Sequence, residues 1–389
     1  MERRPPPTAA AIAIELQPPM NPLLNIAIKA ARRAGQTLLR HFDRLERIVV
    51  EQKGPGDFVS AVDRMAEDDI VDIVRAKYPN HRIIAEERGI VEGAAGGPDA
   101  GADDGADADA DAKSAADAGA KSDTDAKSAA ADTTQVEWLI DPLDGTTNYL
   151  HGHPHFAVSI AARQHGQVQH AVVFDPLRDE MFTASRGQGA HLNRRRIRVG
   201  NQRRLKRCLL ASGVHYHDRS AAGRARFEAW RRTYDALLPQ TLDIRRGGSA
   251  ALDLCYVACG RLDGYWQPGL AAWDAAAGSL LVREAGGFVA DFHGRQQFLE
   301  SGEIIASNPL IFNQLLVTLS ATVASVEGAP GAADSTEAAA TTAAESPKND
   351  AKTVAKSPAK TGRKSPTKTV AKSTTKTGRK STTKTAANA

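Results

Sequence analysis

From Pro22 onward, apolar residues fall at Leu23, Leu24, Ala27, Ala30, Ala31, Ala34, Leu38 and Leu39, with basic residues on the opposite face. That spacing predicts an amphipathic helix, and Pro22 suits its first turn. A short strand is expected at residues 48–50, a polar loop at 53–57, and a second helix over 61–78. Ser60 and Asp63 have capping-box spacing at the start of that helix. Residues 82–85 read as a strand that runs into Glu86 and Glu87. The pattern then lapses over residues 93–134, which are almost all Ala, Asp, Gly, Ser and Lys. Such a stretch buries too little surface to offset ordering entropy, so a disordered insertion within one domain is expected. Its position between two strands that end in carboxylates suggests a loop near the site.

Strand patterns resume at 138–140, 157–161, 171–174 and 180–184, with glycine-rich turns between them. Helices are expected over 222–238, 250–260 and 274–285, then a strand at 288–291, with the core closing near Leu319. The irregular alternation points to a layered α/β (α+β) fold with mixed sheets. The domain plan is an extension over 1–19, a catalytic domain over 20–320 and a disordered tail over 321–389. The start of translation is open between Met1 and Met20. Within the tail, residues 353–368 recur almost unchanged at 369–384, and lysine occupies every fourth position.

Composition changes this picture in two respects. The net charge of +4 hides a −7 insertion and a +11 segment over 346–389, leaving a neutral remainder. Three cysteines, Cys208, Cys255 and Cys259, suit small buried hydrophobes better than a disulfide framework. No apolar run is long enough to cross a membrane and no signal peptide is legible, so a cytoplasmic protein without membrane contact is expected.

The chemistry concentrates in Asp141-Pro142-Leu143-Asp144-Gly145-Thr146-Thr147. The apolar strand delivers Asp141 at its end, and Pro142 is expected to stop it. Asp144 follows three residues later, so both carboxylates can face one point. Gly145 permits close backbone approach, and Thr146 and Thr147 offer hydroxyls and N–H groups where a helix could begin and hold phosphate. Hard oxygen ligands suit Mg²⁺. An Asx turn is the plain alternative for such a D-x-x-D-G run.

Further blocks give that segment its context. They are Lys53-Gly54 with Asp57-Phe58-Val59-Ser60 and Asp63; Ile84-Ala85-Glu86-Glu87; Arg245-Arg246-Gly247-Gly248-Ser249-Ala250-Ala251; and Trp273-Asp274-Ala275-Ala276-Ala277-Gly278. In this order they resemble the inositol monophosphatase family, most closely its bacterial inositol-1-monophosphatase branch, from about Met20 to Leu319. The resemblance implies an αβαβα sandwich and Mg²⁺-dependent hydrolysis of myo-inositol 1-phosphate by a metal-activated water. It places a first Mg²⁺ on Glu86, Asp141 and the Leu143 carbonyl, a second on Asp141, Asp144 and Asp274, and a looser third near Glu86. It makes Glu86, Thr146 and Asp63 catalytic. Lys53, Gly145, Thr146, Thr147, Ser249, Ala250, Gln267 and Asp274 would bind substrate, and the protein would be a homodimer. Asp63 and Asp274 could instead serve only as helix caps. Gln267 stands where the family often has Glu, and Gly213-Val214-His215 where bacterial relatives often have Gly-Phe-Pro, which leaves the alcohol half of the substrate open. Other superfamily phosphatases, acting on sugar or nucleotide phosphates, are the nearest alternative. A transcription- or RNA-associated role through non-specific contacts of the Lys-rich tail is the alternative from another class. Association of that tail with the acidic insertion is a third possibility.

Overall fold

The computed structural model describes residues 21–45, 50–54, 57–93, 136–214 and 218–327, without the side chains of 50–59 and 325–327. The expected N-terminal extension, nearly all of the acidic insertion, most of the tail with its repeat, and His215 lie outside the described residues.

In chain order, α1 (Pro22–Phe42) leads into a hairpin of β1 (Val50–Gly54) and β2 (Asp57–Ser60), then α2 (Ala61–Lys77), β3 (Arg82–Ala85) and β4 (Gly89–Val91). After residues 94–135 come β5 (Glu137–Asp144), α3 (Thr146–Leu150), β6 (Ala157–Gln164), β7 (Gln167–Asp175), β8 (Glu180–Ser185), β9 (Gly189–Leu192) and β10 (Arg195–Arg196). The second half holds β11 (Leu209–Ser212), α4 (Ala221–Leu237), β12 (Asp243–Arg245), α5 (Ala250–Ala258), β13 (Gly264–Pro268), α6 (Ala272–Glu284), β14 (Phe288–Ala290), α7 (Phe298–Ser301), β15 (Glu303–Ser307) and α8 (Phe312–Glu327).

An eight-stranded sheet runs in the order β10-β9-β8-β7-β6-β5-β3-β4, and a five-stranded sheet runs β12-β11-β13-β15-β14. Both are mixed. In the first, β3 and β5 are parallel and the other pairs antiparallel. In the second, β11 is parallel to both β12 and β13, whereas β15 is antiparallel to β13 and β14.

Three apolar cores bind five layers together, the middle one lining both faces of the α5/α6 layer, because alternate strand residues face opposite sides. On β5, Trp138 and Ile140 join α1 and α2 in one core, while Leu139 joins α5 and α6 in the next. On β13, Tyr265 faces α5 and α6, and Trp266 faces α4 and α8. The order is therefore α1/α2, large sheet, α5/α6, small sheet, α4/α8: the expected αβαβα sandwich. The cysteines are free; Cys208 and Cys255 are buried and Cys259 partly so.

Several local expectations need correction. Lys53, Gly54 and Asp57 are strand residues of the β1–β2 hairpin rather than a plain loop. Pro142 does not end β5; the strand continues to Asp144 through a register shift between Asp141 and Asp144. Proline is tolerated there because a bulge frees it from the ladder, and β3 has already ended opposite Ile140. Helix α6 begins at Ala272, so Asp274 sits at its third residue rather than at its start. Helix α8 buries Val323 and carries the chain to Glu327, beyond the boundary expected at 320. The insertion is not rooted beside the site. β4 turns back antiparallel to β3, so Val91 pairs Ile83 while Glu137 pairs Arg82, both at the start of β3.

Candidate active site

The parallel pairing of β3 and β5 sets the first two acids side by side. Ala85 registers with Ile140, so Glu86 and Asp141 come next on neighbouring strands. The Glu86 N–H donates to the Ile140 carbonyl at 3.1 Å. Ile140 faces the α1/α2 core, and alternation therefore turns Asp141 toward α5 and α6. Asp141 is buried. Burial raises its carboxyl pKa well above the ordinary range, and the charges of Glu86, Asp144 and Asp274 raise it further.

The other acids are fixed by backbone donors. Asp144 accepts from the Ser249 hydroxyl and from the N–H groups of Ala250 (3.2 Å) and Ala251 (2.8 Å). It thereby satisfies donors in the first turn of α5, which Ser249 also caps through Leu252 N–H. Burial outweighs these bonds and lifts the Asp144 pKa to about 6. Asp274 accepts from the Ala271 N–H at 2.8 Å. Burial, with the Asp144 charge, lifts its pKa to about 7.

A second cluster adjoins the first. The Ser60–Asp63 capping box is present: the Ser60 hydroxyl accepts from Val62 and Asp63 N–H, and Asp63 accepts from Ser60 N–H and Oγ. Thr146 Oγ1 lies 3.3 Å from Asp63 Oδ1 and 3.1 Å from the Leu143 carbonyl, and with one proton it donates to one at a time. Burial raises the Asp63 pKa to about 6 against the lowering effect of Ser60. Between the clusters, Gly145 takes φ +100°, in the left-handed region. A Cβ there would stand 3.0 Å from the His155 carbonyl and 3.2 Å from that of Gly248.

The structure thus gathers Glu86, Asp141, Asp144 and Asp274, with Leu143, Thr146 and Asp63 beside them. Thr147 is exposed. Ser249 and Ala250, expected to face substrate, direct their polar groups to Asp144. Gln267 is buried on β13, where the Tyr265 hydroxyl donates to its Oε1 at 2.6 Å. Tyr265 itself feels the charges of Asp253, Asp144 and Asp274, which raise its pKa after burial. Lys53 lies on β1, and its side chain is outside the description.

Three residues were missed. Asn148 donates to the carbonyls of His155 (2.8 Å) and Gly247 (2.9 Å), tying α3 to the segment before α5. It directly follows the Asp141–Thr147 motif, on the short helix α3. Asp253 is buried one turn into α5, and burial with the Asp144 charge pushes its pKa well up. Glu67, fully buried, accepts the Glu87 N–H at 2.8 Å and holds the turn that follows Glu86. Its spacing of four from Asp63, on one face of α2, was the available signal.

Among the described residues no three acidic, imidazole or thiol side chains converge tightly enough to enclose an ion unaided. The fit to a divalent cation rests instead on donor chemistry: hard carboxylate oxygens of one sign, with half-buried Glu86, Asp144 and Asp274 each raising the pKa of the buried Asp141. Such a group is compensated by a cation that prefers oxygen.

A layered α/β protein with two acids side by side on adjacent parallel strands, Asp141 buried and Glu86 half-buried, is the class that this geometry defines. The chain belongs to the inositol monophosphatase family, whose sequence profile matches residues 20–325. It is 44% identical over 300 residues to the Nus factor SuhB of Pseudomonas aeruginosa, covering 77% of this chain and 96% of that protein. Among solved structures, the extragenic suppressor protein SuhB of Bartonella henselae superposes with a TM-score of 0.63 at 36% identity, covering 77% of this chain and 98% of that one. The inositol monophosphatase from Anabaena superposes with a TM-score of 0.59 at 32% identity, covering 77% and 95%.

Proposed function

We propose that the protein is a Mg²⁺-dependent phosphomonoesterase acting on myo-inositol 1-phosphate. The observation that carries this reading is the buried Asp141 carboxylate with Glu86, Asp144 and Asp274 around it. Glu86, Asp141 and the Leu143 carbonyl would hold one Mg²⁺, and Asp141, Asp144 and Asp274 a second, with a third near Glu86. When bound, the ions neutralise phosphate oxygens and lower the pKa of coordinated water. The Leu143 carbonyl has a second lone pair to offer while it accepts from Thr146.

The chain's own groups handle the water proton. Thr146 donates its single proton toward Asp63 or Leu143, which leaves its lone pairs to accept from a water that Glu86 also orients. Asp63, with a pKa near 6, is poised to take up a proton close to neutral pH. Lys53, Gly145 and Thr147 would contact the phosphate, while Ser249, Ala250 and Gln267 would border the alcohol. Cytoplasmic location and a homodimer belong to the same reading; light scattering on the purified protein tests the dimer.

The deciding experiment compares wild type with Asp141→Asn across a Mg²⁺ titration, using inositol 1-phosphate, fructose 1,6-bisphosphate and an adenosine bisphosphate. Loss of inositol 1-phosphate turnover by about 10³-fold or more is expected in the variant. Near-wild-type rates would sink the site assignment, and preference for another substrate would sink the inositol reading alone.

A second reading is favoured by the names of relatives: proteins 41–44% identical to this chain are called Nus factors or putative Nus factors. A role in transcription would then accompany hydrolysis, with the +11 segment at residues 346–389 holding nucleic acid. Deleting that segment should abolish retention of RNA on a filter at low salt; unchanged retention would remove it from the account.

A further inference from the structure

The far end of α6 presents a second polar cavity. It has a volume of about 240 Å³, and its lining includes Arg186, Arg283, Gln167, Gln296, Leu299 and Glu300. Asp274 and Arg283 are nine residues apart on α6, so about 14 Å of helix separates this cavity from the carboxylate cluster.

The fold forces two guanidinium groups onto this one space. Glu284, the last residue of α6, accepts the N–H groups of Gly187 and Gly189, each at 2.8 Å. That clamp fixes the turn carrying Arg186 against the helix end. Arg186 Nε donates to the Val168 carbonyl at 3.0 Å, which sets the direction of its side chain. Arg283 stacks over the Phe298 ring at 4.9 Å and donates to Gln296 Oε1. Among the described residues, neither guanidinium forms an ion pair with a carboxylate. Glu300 lines the same space without bridging to them. Burial and the charge of Arg186 both lower the pKa of Arg283, so the two cations repel across the cavity.

Complementing the negative end of α6 could explain one arginine here. It does not explain two, one of them held in place from a separate strand. A group with several anionic oxygens does, because it accepts from both forks and removes their repulsion. We propose that this cavity is a binding site for a tetrahedral oxyanion, either free phosphate or the phosphate group of a small organic ester, separate from the candidate active site.

The test uses the full-length protein in EDTA, where a cluster of bare carboxylates repels anions and leaves the arginine cavity as the folded domain's phosphate site. Inorganic phosphate and phenyl phosphate are titrated calorimetrically at moderate salt. The Lys-rich segment contributes equally to every variant, so differences report the cavity. Arg186→Gln with Arg283→Gln should weaken binding at least about tenfold, and Asp141→Asn should leave it unchanged. Glu300→Gln should tighten binding by about two- to fivefold, because a repelling charge leaves the rim. A purely structural role for the arginines predicts no change from Glu300→Gln, which guards against misfolding of the double variant. Tighter binding of phenyl phosphate than of phosphate assigns the site to an ester that uses Leu299; equal binding assigns it to the free anion. Wild-type affinity in the double variant, or no effect of Glu300→Gln, overturns the proposal. None of these outcomes depends on whether the protein hydrolyses inositol 1-phosphate.

Discussion

Asp141 sits where its own charge is least stable, buried and next to three other acids. An acid whose folded pKa is raised above its unfolded value costs stability at neutral pH, and the cost fades as pH falls toward 4. In EDTA at pH 7.5, Asp141→Asn should therefore melt above wild type, and calorimetry at pH 4.5 should show the gap narrowing. A lower melting temperature at pH 7.5 would mean that the carboxylate is already compensated by the chain. Ser249 is the converse case, because its hydroxyl both caps α5 and donates to Asp144. Ser249→Ala should cost about 1–2 kcal/mol in a urea unfolding curve. The sequence made these acids visible because Glu86 follows β3, Asp144 ends β5 with Asp141 at its bulge, and Asp274 lies in the first turn of α6. It hid Asn148 and Glu67, which bind backbone groups distant in the chain: Asn148 reaches Gly247, and Glu67 reaches Glu87.

Elements were legible where one periodicity ran uninterrupted. α1 begins at Pro22, α2 begins after the Ser60 cap, and β3 spans the residues that pattern alone selected. Ser60→Ala should cost about 1 kcal/mol or more, since it unfastens both the α2 cap and Asp63. Legibility failed where a neighbour overrides local preference. Pro142 survives inside β5 only because the strand has outrun β3 and bulges against β6, which no local rule reveals. Close helix packing is similarly invisible. A Cβ on Gly278 of α6 would meet Leu254 of α5 at 2.5 Å, although alanine is the better helix former. Gly278→Leu should destabilise by about 2–3 kcal/mol or more and displace Asp274, lowering both melting temperature and activity.

Across the whole molecule, the number of layers followed from resemblance and pattern, but sheet order did not. Pairing of β3 with β5 brings Ala85 and Ile140 together across a long stretch of intervening sequence, and hydrophobic patterning carries no information about such partners. The fold also half-buries His155, whose inaccessible Nε2 has no hydrogen-bond partner among the described residues and whose pKa falls to about 4, first through desolvation and then through Arg178. A histidine kept neutral in the fold but free to protonate when unfolded costs stability as pH falls from about 6.5 toward 4. Urea unfolding at pH 7 and pH 5 should show a loss of at most about 2 kcal/mol from this residue after solvent screening, absent in His155→Phe. The return of β4 has a consequence for the history of the chain. Because β4 doubles back along β3, the chain leaves and re-enters the large sheet at positions flanking Ile83 and Arg82. These points lie about 10 Å apart, two strand spacings, a gap that four extended residues can cross. At that seam evolution can lengthen or trim the sequence without renegotiating the fold, so a four-residue graft in place of residues 94–135 should leave turnover and melting temperature near those of the parent.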